Sequence, residues 1–316
     1  MRMLPPRGRR RAARDPRRAA PPALPPAPTP PVTLLVRPEV LRSLAASVAT
    51  AGDVETGGPL IGTVQRSWEP AGERLIVCVL ATVAPSARDG RVASVSVGRG
   101  GEGERAASAV RWWRSASGLD LVHLGDWHRH VWGSPEPSGG DRATAKRLGA
   151  QSPAPVWLTA VATGRRRRRH QAEEKGEEVR FIDAAAVTGV VRFFREAGGA
   201  GLVAVRARVE GAALPALPAL PWYVADPARF AAECRLLRAA GYRAALQPAS
   251  SDDGHGAVLR LRREGAPDVT VITGPRYPRQ APVRLDARGR RVPPAGAWSP
   301  HRYLVDLVDL VGEEKR

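Results

Sequence analysis

The chain has 316 residues, 43% of them hydrophobic, so its length and composition favour two domains with sizeable cores. A formal net charge of +18 suggests nucleic-acid binding, but residues 1–31 contribute a net +7 and the run Arg165–Arg169 contributes five more. We therefore expect only nonspecific electrostatic contact with nucleic acid. No run of about eighteen apolar residues is present, so we expect no membrane-spanning helix.

The cysteines and the N-terminus bear on the cellular compartment. Cys78 and Cys234 have no CxxC spacing, so no disulfide framework is predicted and a reducing cytoplasm is the simpler setting. The arginine-rich N-terminus has no apolar segment before its prolines, so a secretory signal is not expected. The ten prolines of residues 1–31 predict a disordered tail outside the fold.

Residues 32–185 are predicted to form an α+β domain with helices layered on a mixed sheet. The domain begins with the strand VTLLV and a helix that starts at Pro38 and is capped by Gly52, with apolar residues at helical spacing. Further strands are predicted in ERLIVCVLATVAP, LVHLGDWHRH and PVWLTAVATG, and shorter ones in VASVSVG and VRFIDA. Helices are predicted in AASAVRWWRSASG and after Asp141.

Residues 186–221 are predicted to link this domain to a second one. AAAVTGVVRFFREAGG is interpreted as a helix that ends at Gly198, and GAALPALPALPW as a proline-rich extended arm. In residues 222–316, a helix N-capped by Asp226, three or four strands and a final helix N-capped by Ser299 predict a smaller α+β domain.

The segment from His128 to Asp141, HRHVWGSPEPSGGD, carries the residues best suited to chemistry. Successive side chains of a strand point to opposite faces, so His128 and His130 share one face. Ser138 and Asp141 are three residues apart and precede a predicted helix, so both fit its first turn. Two imidazoles, a carboxylate and an open position for water form a hydrolytic zinc site, with His128, His130 and Asp141 as ligands.

Such a site also needs a base and an oxyanion donor. A carboxylate can take the proton of the water and return it to the leaving amine, and the hydroxyl of Ser138 can stabilise the oxyanion. Alternatives stay open, because Ser138 and Asp141 also match a helix-capping pair. Asp126 and Glu136 are nearby carboxylates that could replace Asp141 as a ligand.

The other aromatic and imidazole groups near this segment are expected to be structural. His123 lies on the opposite strand parity from His128, so we leave it outside the metal site. Trp127, Trp132 and Trp157 are expected to pack in the core or at its rim rather than to bind substrate.

Together with Glu55, in ETGGPLIG, this segment resembles the JAB/MPN (JAMM) zinc metallopeptidases, and the ETGG sequence is similar to their prokaryotic type. The family pattern is a distant glutamate, then H-x-H, seven residues, a serine, two residues and an aspartate. The spacing matches at every position, and the resemblance covers roughly residues 33–185. It departs at Arg129 and Val131, where the family often reads HSHP, so rim contacts with substrate are expected to differ.

The resemblance implies a cytidine-deaminase-like α/β/α domain with a zinc ion held by His128, His130 and Asp141. It also implies that Glu55 is the general acid/base and that Ser138 stabilises the oxyanion. The implied reaction is hydrolysis of the peptide or isopeptide bond at the C-terminal tail of a ubiquitin-like or sulfur-carrier protein. An activating-enzyme homologue is then the expected further partner.

Residues 222–316 resemble the ubiquitin-conjugating enzyme (UBC/RWD-like) fold in the order of their elements, in YPRQAP and in the turn Trp298–Pro300. In that family a catalytic cysteine lies between these two motifs, but residues 283–297 contain none. Cys234 falls in the first predicted helix, where we expect it to pack rather than react. The resemblance therefore implies a binding-type domain without thioester chemistry.

Two other functions are weighed against hydrolysis. A non-catalytic MPN-like scaffold would lack one or more of the ligands, whereas this chain lacks none. A nucleic-acid-associated protein would use residues 1–31 and the run Arg165–Arg169. Salt-resistant, sequence-selective binding by a chain without those segments would favour that function.

Overall fold

The computed structural model describes residues 29–52, 54–70, 72–83, 102–131, 134–166, 178–182, 187–197, 201–251, 254–293 and 296–308. The helices in this part of the chain are α1 (Pro38–Ala51), α2 (Glu102–Ser117), α3 (Gly139–Gln151), α4 (Trp222–Ala225), α5 (Pro227–Ala239) and α6 (Leu304–Val308). None of these helices is long and apolar enough to cross a membrane. Residues 1–28, VASVSVG, Arg167–Arg169 and Trp132 lie outside the described residues, and so do the predictions made for them.

A mixed sheet of nine strands forms the first unit, in the order β6-β7-β5-β4-β2-β3-β1-β9, with β8 paired to β7. Strand β8 pairs with β7, and β9 pairs with β1. Because only Arg206 separates β8 from β9 in the chain, these two short strands connect both ends of the sheet, which is nearly closed. The strands of this sheet are β1 (Val32–Val36), β2 (Gly57–Glu69), β3 (Gly72–Thr82), β4 (Val122–His130), β5 (Leu158–Arg166), β6 (Glu178–Ile182), β7 (Val187–Glu196), β8 (Leu202–Val205) and β9 (Ala207–Val209).

Helix α1 packs on the concave face of this sheet. It starts with Pro38, whose missing N–H costs nothing in the first turn, and its buried side chains recur at helical spacing on one face. These side chains share a hydrophobic cluster with alternate residues of seven strands, among them Leu34, Trp127 and Phe193. The buried residues of α1 are Val40, Leu41, Leu44, Ala45 and Val48.

Helices α2 and α3 cover the other face of the sheet. Trp113 of α2 packs with Ile61 and Leu80, and Ala145 of α3 packs with Val161 and Phe194. The α+β class and the mixed sheet predicted from the sequence are therefore confirmed, whereas the cytidine-deaminase-like topology stays a prediction.

Strand β7 corrects one expectation, because AAAVTGVVRFFREAGG was predicted to be a linker helix. β7 pairs with β5, β6 and β8, so these residues belong to the first sheet. Val191 and Phe193 are fully buried on the α1 side, and Phe194 packs on the other side. β-branched and aromatic residues favour strands, but only the pairing with neighbouring strands decides here, and the linker-helix prediction for the start of 186–221 is wrong.

The proline-rich segment packs against α2. Trp113 Nε1 of α2 donates to Pro218 O at 2.7 Å, and Arg105 Nη2 of α2 donates to Ala225 O of α4, just beyond the segment, at 3.3 Å. The leucines of this segment recur every three residues, which is the period of a polyproline II helix, so they can share one face. All of them join the cluster around α2: Leu214, Leu217 and Leu220.

A second sheet, fully antiparallel and of order β10-β11-β12-β13-β14, carries α5 and α6 on one face. Asp226 caps α5 as predicted, because its side chain accepts from Arg229 N. Ser299 does not cap the last helix: α6 starts at Leu304, and the Ser299 hydroxyl accepts from His301 N instead. The boundary at residue 222 and the UBC-like identity stay predictions. The strands are β10 (Arg243–Ser251), β11 (Gly254–Arg262), β12 (Val269–Thr273), β13 (Val283–Leu285) and β14 (Arg291–Val292).

Candidate metal centre

Strand β4 lies between β2 and β5 and ends with His128 and His130. The alternate residues Trp127 and Arg129 are buried on the α1 side, so both imidazoles project from the opposite face. Gly57 of β2 pairs with His128, and a Cβ on this glycine would lie 2.4 Å from Trp127 O and 3.1 Å from His128 Cβ. The close approach of β2 to β4 at the histidines therefore requires glycine.

The first turn of α3 supplies the carboxylate. Ser138 is the N-cap of α3: its Oγ accepts from Asp141 N at 3.2 Å, and its own N–H donates to Asp141 Oδ2 at 2.7 Å. This reciprocal capping box fixes both side chains. The sequence left helix capping and a role in the metal site as alternatives for Ser138 and Asp141. The two are compatible, because the Asp141 carboxylate that caps α3 also faces the imidazoles.

The three candidate ligand atoms converge on one point. His128 Nε2 lies 3.1 Å from His130 Nε2 and 3.2 Å from Asp141 Oδ1, and His130 Nε2 lies 3.3 Å from Asp141 Oδ2. Ligand atoms about 2.0–2.1 Å from a tetrahedral zinc ion are themselves about 3.3 Å apart. The donor types and spacings therefore fit a zinc ion with three protein ligands and a fourth open position. Within the described part of the chain, these residues are the one group with the spacing of a metal site.

The outer hydrogen bond of His130 agrees with this assignment. Its Nδ1 lies 3.3 Å from Ser134 O, a carbonyl that can only accept, so Nδ1 carries the proton of the neutral ring. Whenever the ring is neutral, Nε2 is therefore the nitrogen whose lone pair is available to a metal, and it faces His128 and Asp141. Backbone carbonyls commonly orient metal-binding histidines in this way.

The charges of the cluster influence one another strongly. The hydrogen bond with Asp141 is the largest influence on the pKa of His130 and raises it above the ordinary value, although burial opposes this shift. Burial alone would raise the pKa of Asp141, but hydrogen bonds from His128 and His130 outweigh it and hold that pKa well below its usual range. The carboxylate is therefore ionised at neutral pH, as a ligand must be.

Glu55 approaches the site from the start of β2. Gly57 pairs with His128, and Arg129 N donates to Thr56 O at 2.7 Å. Continued for one more residue, this antiparallel register places Glu55 opposite His130 and on the same face. The charge of Glu55 is also among the influences that raise the pKa of His130, after the larger effect of Asp141. The structure thus brings His128, His130, Ser138 and Asp141 into contact, and the register places Glu55 beside them.

The two alternative carboxylates are engaged elsewhere. Glu136 forms an ion pair with Arg192 of β7, which ties the loop before α3 to the sheet. Asp126 lies 3.1 Å from His123 Nε2. Neither carboxylate belongs to the ligand cluster, so Asp141 is the better candidate ligand.

His123 lies outside the ligand cluster as expected, but the parity argument behind that expectation is wrong. Gly125 has φ +147 and interrupts the β2–β4 register, so residues on its two sides no longer follow one alternation. A Cβ on Gly125 would lie 1.8 Å from Leu158 O, so this irregularity also depends on glycine. His123 consequently reaches Asp126 and contacts the edge of the Trp157 ring. Trp127 and Trp157 are buried packing residues, as predicted.

Three groups that hold the site in place were not predicted from the sequence. The Ser134 carbonyl has no sequence signal, because any residue supplies a backbone oxygen. Arg192 pairs with Glu136, and Arg129 binds the end of α1. Both partners are distant in the chain, so no local pattern identifies them. Arg129 has one signal in the sequence. It is a charged residue two positions after Trp127, so both lie on the same face of the strand, and Trp127 is predicted to be a packing residue.

Parts of this chain are similar to known proteins. A family model described as prokaryotic homologues of the JAB domain matches residues 37–174, which include all five residues of the site. A protein of Enterobacter hormaechei subsp. hoffmannii (strain UCI 50), named CD-NTase/cGAS isopeptidase, is 31% identical over 120 residues, 38% of this chain and only 60% of that protein. A protein of the same name from Pseudomonas aeruginosa (strain BWHPSA011 / Pa011) is 36% identical over 117 residues, 37% of this chain and 67% of that protein. A solution structure of a Desulfitobacterium hafniense protein shows 14% identity and a TM-score of 0.37, over 57% of this chain and 94% of that protein.

Proposed function

The chain belongs to the prokaryotic JAB/MPN family, and from this membership we propose that it is a zinc-dependent isopeptidase. Its substrate would be the bond between the C-terminal tail of a ubiquitin-like protein and an amine. The observation that carries the proposal is that His128 Nε2 lies 3.1 Å from His130 Nε2, while Asp141 places Oδ1 3.2 Å from His128 Nε2 and Oδ2 3.3 Å from His130 Nε2. Glu55, opposite His130, supplies the carboxylate that hydrolysis needs.

Each residue has a defined part in this proposal. His128, His130 and Asp141 would hold zinc, which when bound lowers the pKa of a coordinated water to about 7 and polarises the scissile carbonyl. Glu55 takes a proton from the attacking water and returns it to the leaving amine. The Ser138 oxygen already accepts from Asp141 N, so its hydroxyl hydrogen can be donated to the developing oxyanion.

The substrate class has independent support. Both relatives are named isopeptidases, which favours an amide formed with a lysine side chain over a linear peptide bond. We propose a ubiquitin-like or sulfur-carrier protein as substrate and an activating-enzyme homologue as a further partner. The second unit, if UBC-like, would bind such partners without thioester chemistry, because burial raises the pKa of the Cys234 thiol and disfavours its thiolate. Two free cysteines support a reducing cytoplasm as the setting.

The proposal is tested with Glu55→Gln and His128→Ala on fluorescent isopeptides in which a tail ending in Gly-Gly is joined to a lysine ε-amine. We expect Glu55→Gln to bind one zinc per chain but to lose at least about a hundredfold in kcat, because the base contributes about 10²–10⁴-fold. His128→Ala should lose both zinc and hydrolysis. Metal analysis and chelator sensitivity of the wild-type cleavage complete the measurement, and they separate an enzyme from a scaffold.

Glu136→Gln is the matched control, since it makes the same change in a nearby carboxylate that pairs with Arg192. Its kcat should stay within about threefold of wild type, because a half-exposed ion pair contributes little. Near-normal turnover by Glu55→Gln would contradict the role of Glu55. Hydrolysis that survives complete removal of zinc would contradict the class of enzyme.

A further inference from the structure

Arg129 lies between the two histidines of the site, yet its side chain is on the other face of β4. It is only 6% exposed, and burying a guanidinium is costly unless it is well hydrogen-bonded. Its Nη1 donates to Gly52 O and lies 3.4 Å from Val48 O. These carbonyls belong to the C-terminal end of α1, where the helix dipole favours a cation.

The same residue also holds the other end of the connection from α1 to β2. Arg129 N donates to Thr56 O at 2.7 Å, so one residue binds residues 52 and 56 of the connection through its side chain and its backbone. Glu55 lies between these two anchors. The two hydrogen bonds hold the backbone on both sides of Glu55, and the position of its carboxylate depends on that backbone.

We propose that Arg129 is a positioning residue that holds Glu55 beside the ligands of the metal site. The inference rests on the proposed function, in which Glu55 is the general acid/base. The Arg129 side chain lies on the face of β4 opposite the two imidazoles and acts through the backbone at Gly52 and Thr56. A displacement of about 1 Å of such a group costs about a hundredfold in rate, so the anchor matters for turnover and not only for stability.

The experiment compares Arg129→Met with Arg129→Lys, using the full chain loaded with zinc and the isopeptide probes described above. Methionine keeps the apolar volume and removes the donors, whereas lysine keeps the charge with a single point of attachment. For Arg129→Met we expect full zinc content, a KM within about twofold of wild type and a kcat about 10–100-fold lower. Arg129→Lys should recover part of this loss.

Arg105→Met is the matched control. Arg105 is also buried, at 8% exposure, and also donates to the carbonyl of the last residue of a helix, Ala225 of α4. Its replacement removes the same kind of contact at the end of a different helix, so kcat should stay within about twofold of wild type. An equal loss of kcat in this control would show a general loss of structure and overturn the proposal.

A double variant separates positioning from packing. If Arg129 acts through Glu55, then Glu55→Gln with Arg129→Met should turn over no more slowly than Glu55→Gln alone. A multiplicative loss would overturn the proposal, and so would wild-type kcat in Arg129→Lys or Arg129→Met. Should Arg129→Met fail to fold, Arg129→Lys still decides the matter. The two failures are distinguishable. An active Glu55→Gln would contradict the proposed function itself, whereas an inactive Glu55→Gln together with a fully active Arg129→Lys would contradict only the role of Arg129.

Discussion

The candidate metal centre on β4 and the Glu233 cluster (Arg229, Glu233, Tyr277 and Leu304) both enclose charged side chains, partly buried in the first and fully buried at Glu233 in the second, but their hydrogen bonds are arranged differently. Glu233 is fully buried, and each carboxylate oxygen receives a donor of the protein. Arg229 Nε at 2.7 Å and the Tyr277 hydroxyl donate to Oε1, and Leu304 N donates to Oε2 at 2.8 Å. Donors and acceptors match, so this cluster is complete without a ligand.

At the metal centre, the facing atoms are all ligand atoms. His128 Nε2, His130 Nε2 and the Asp141 oxygens lie 3.1–3.3 Å apart, and two neutral imidazoles cannot satisfy all of these contacts when the His130 proton is on Nδ1. The difference teaches that burial of charge does not by itself indicate a site. Lone pairs that converge indicate one, whereas donors matched to acceptors indicate structure.

The largest expected effect on stability concerns the Glu233 cluster. Glu233→Gln removes the charge that pairs with Arg229, whose side chain is 11% exposed. Leaving one partner of a buried ion pair alone costs about 3–5 kcal/mol in the free energy of unfolding, measured by urea denaturation. Zinc content should not change.

Glu264→Gln serves as the control for this variant, because Glu264 is an exposed carboxylate of the same unit. Its cost should stay within about 0.5 kcal/mol. If Glu233→Gln were equally mild, the cluster would not stabilise the packing of α6 on α5, and the contrast with the metal centre would fail.

The next largest effect concerns the candidate metal centre, which zinc should stabilise. Zinc at about one hundred times its dissociation constant should add about 2.7 kcal/mol to the free energy of unfolding, since it binds the folded state. This corresponds to an increase in Tm of about 5–10 °C for a unit of this size. Thermal scans of the chelator-treated protein, with and without zinc, measure it.

His128→Ala and Glu233→Gln give the contrast in the same assay. His128→Ala should lose the increase, and Glu233→Gln should keep it, because that variant leaves all three ligands in place. An increase of equal size in His128→Ala would mean that zinc binds elsewhere on the chain.

Local periodicity made the metal centre predictable from the sequence. The period of two placed His128 and His130 on one face, and the spacing of three placed Ser138 and Asp141 in the first turn of α3. Helix α1 followed from Pro38 and from apolar residues at helical spacing. These features depend on neighbours within one turn or one strand, so a sequence pattern is enough.

Features that depend on distant partners could not be predicted. β7 was assigned to a helix because VVRFF fits either period, and only pairing with β5 and β6 decides for a strand. The parity of His123 depends on the irregularity at Gly125, which no alternation pattern shows. The role inferred for Arg129 depends on where α1 ends, 77 residues earlier in the chain.

The smallest expected effect compares two tyrosines of the second unit, the buried Tyr277 and the half-buried Tyr223, whose hydroxyl oxygen is buried. The Tyr277 hydroxyl donates to Glu233, whereas the Tyr223 hydroxyl has no hydrogen-bond partner among the described residues. Tyr277→Phe should therefore cost about 1.5 kcal/mol near neutral pH, the low end for a hydrogen bond to a charged group, because Arg229 and Leu304 still bind Glu233, whereas Tyr223→Phe should cost nothing or stabilise slightly. Urea denaturation of both variants measures the difference.

Alkaline pH sharpens this comparison further. Burial raises the pKa of Tyr277 above its ordinary value of about 10, and the nearby charge of Glu233 adds to the increase. The folded state then keeps a proton that the unfolded state releases, so this contribution is complete below about pH 10 and is lost as the pH rises. The free energy of unfolding should fall less steeply above pH 10 in Tyr277→Phe than in wild type. Equal slopes would mean that Tyr277 titrates normally, and that donors and acceptors in the Glu233 cluster are not matched as the structure has them.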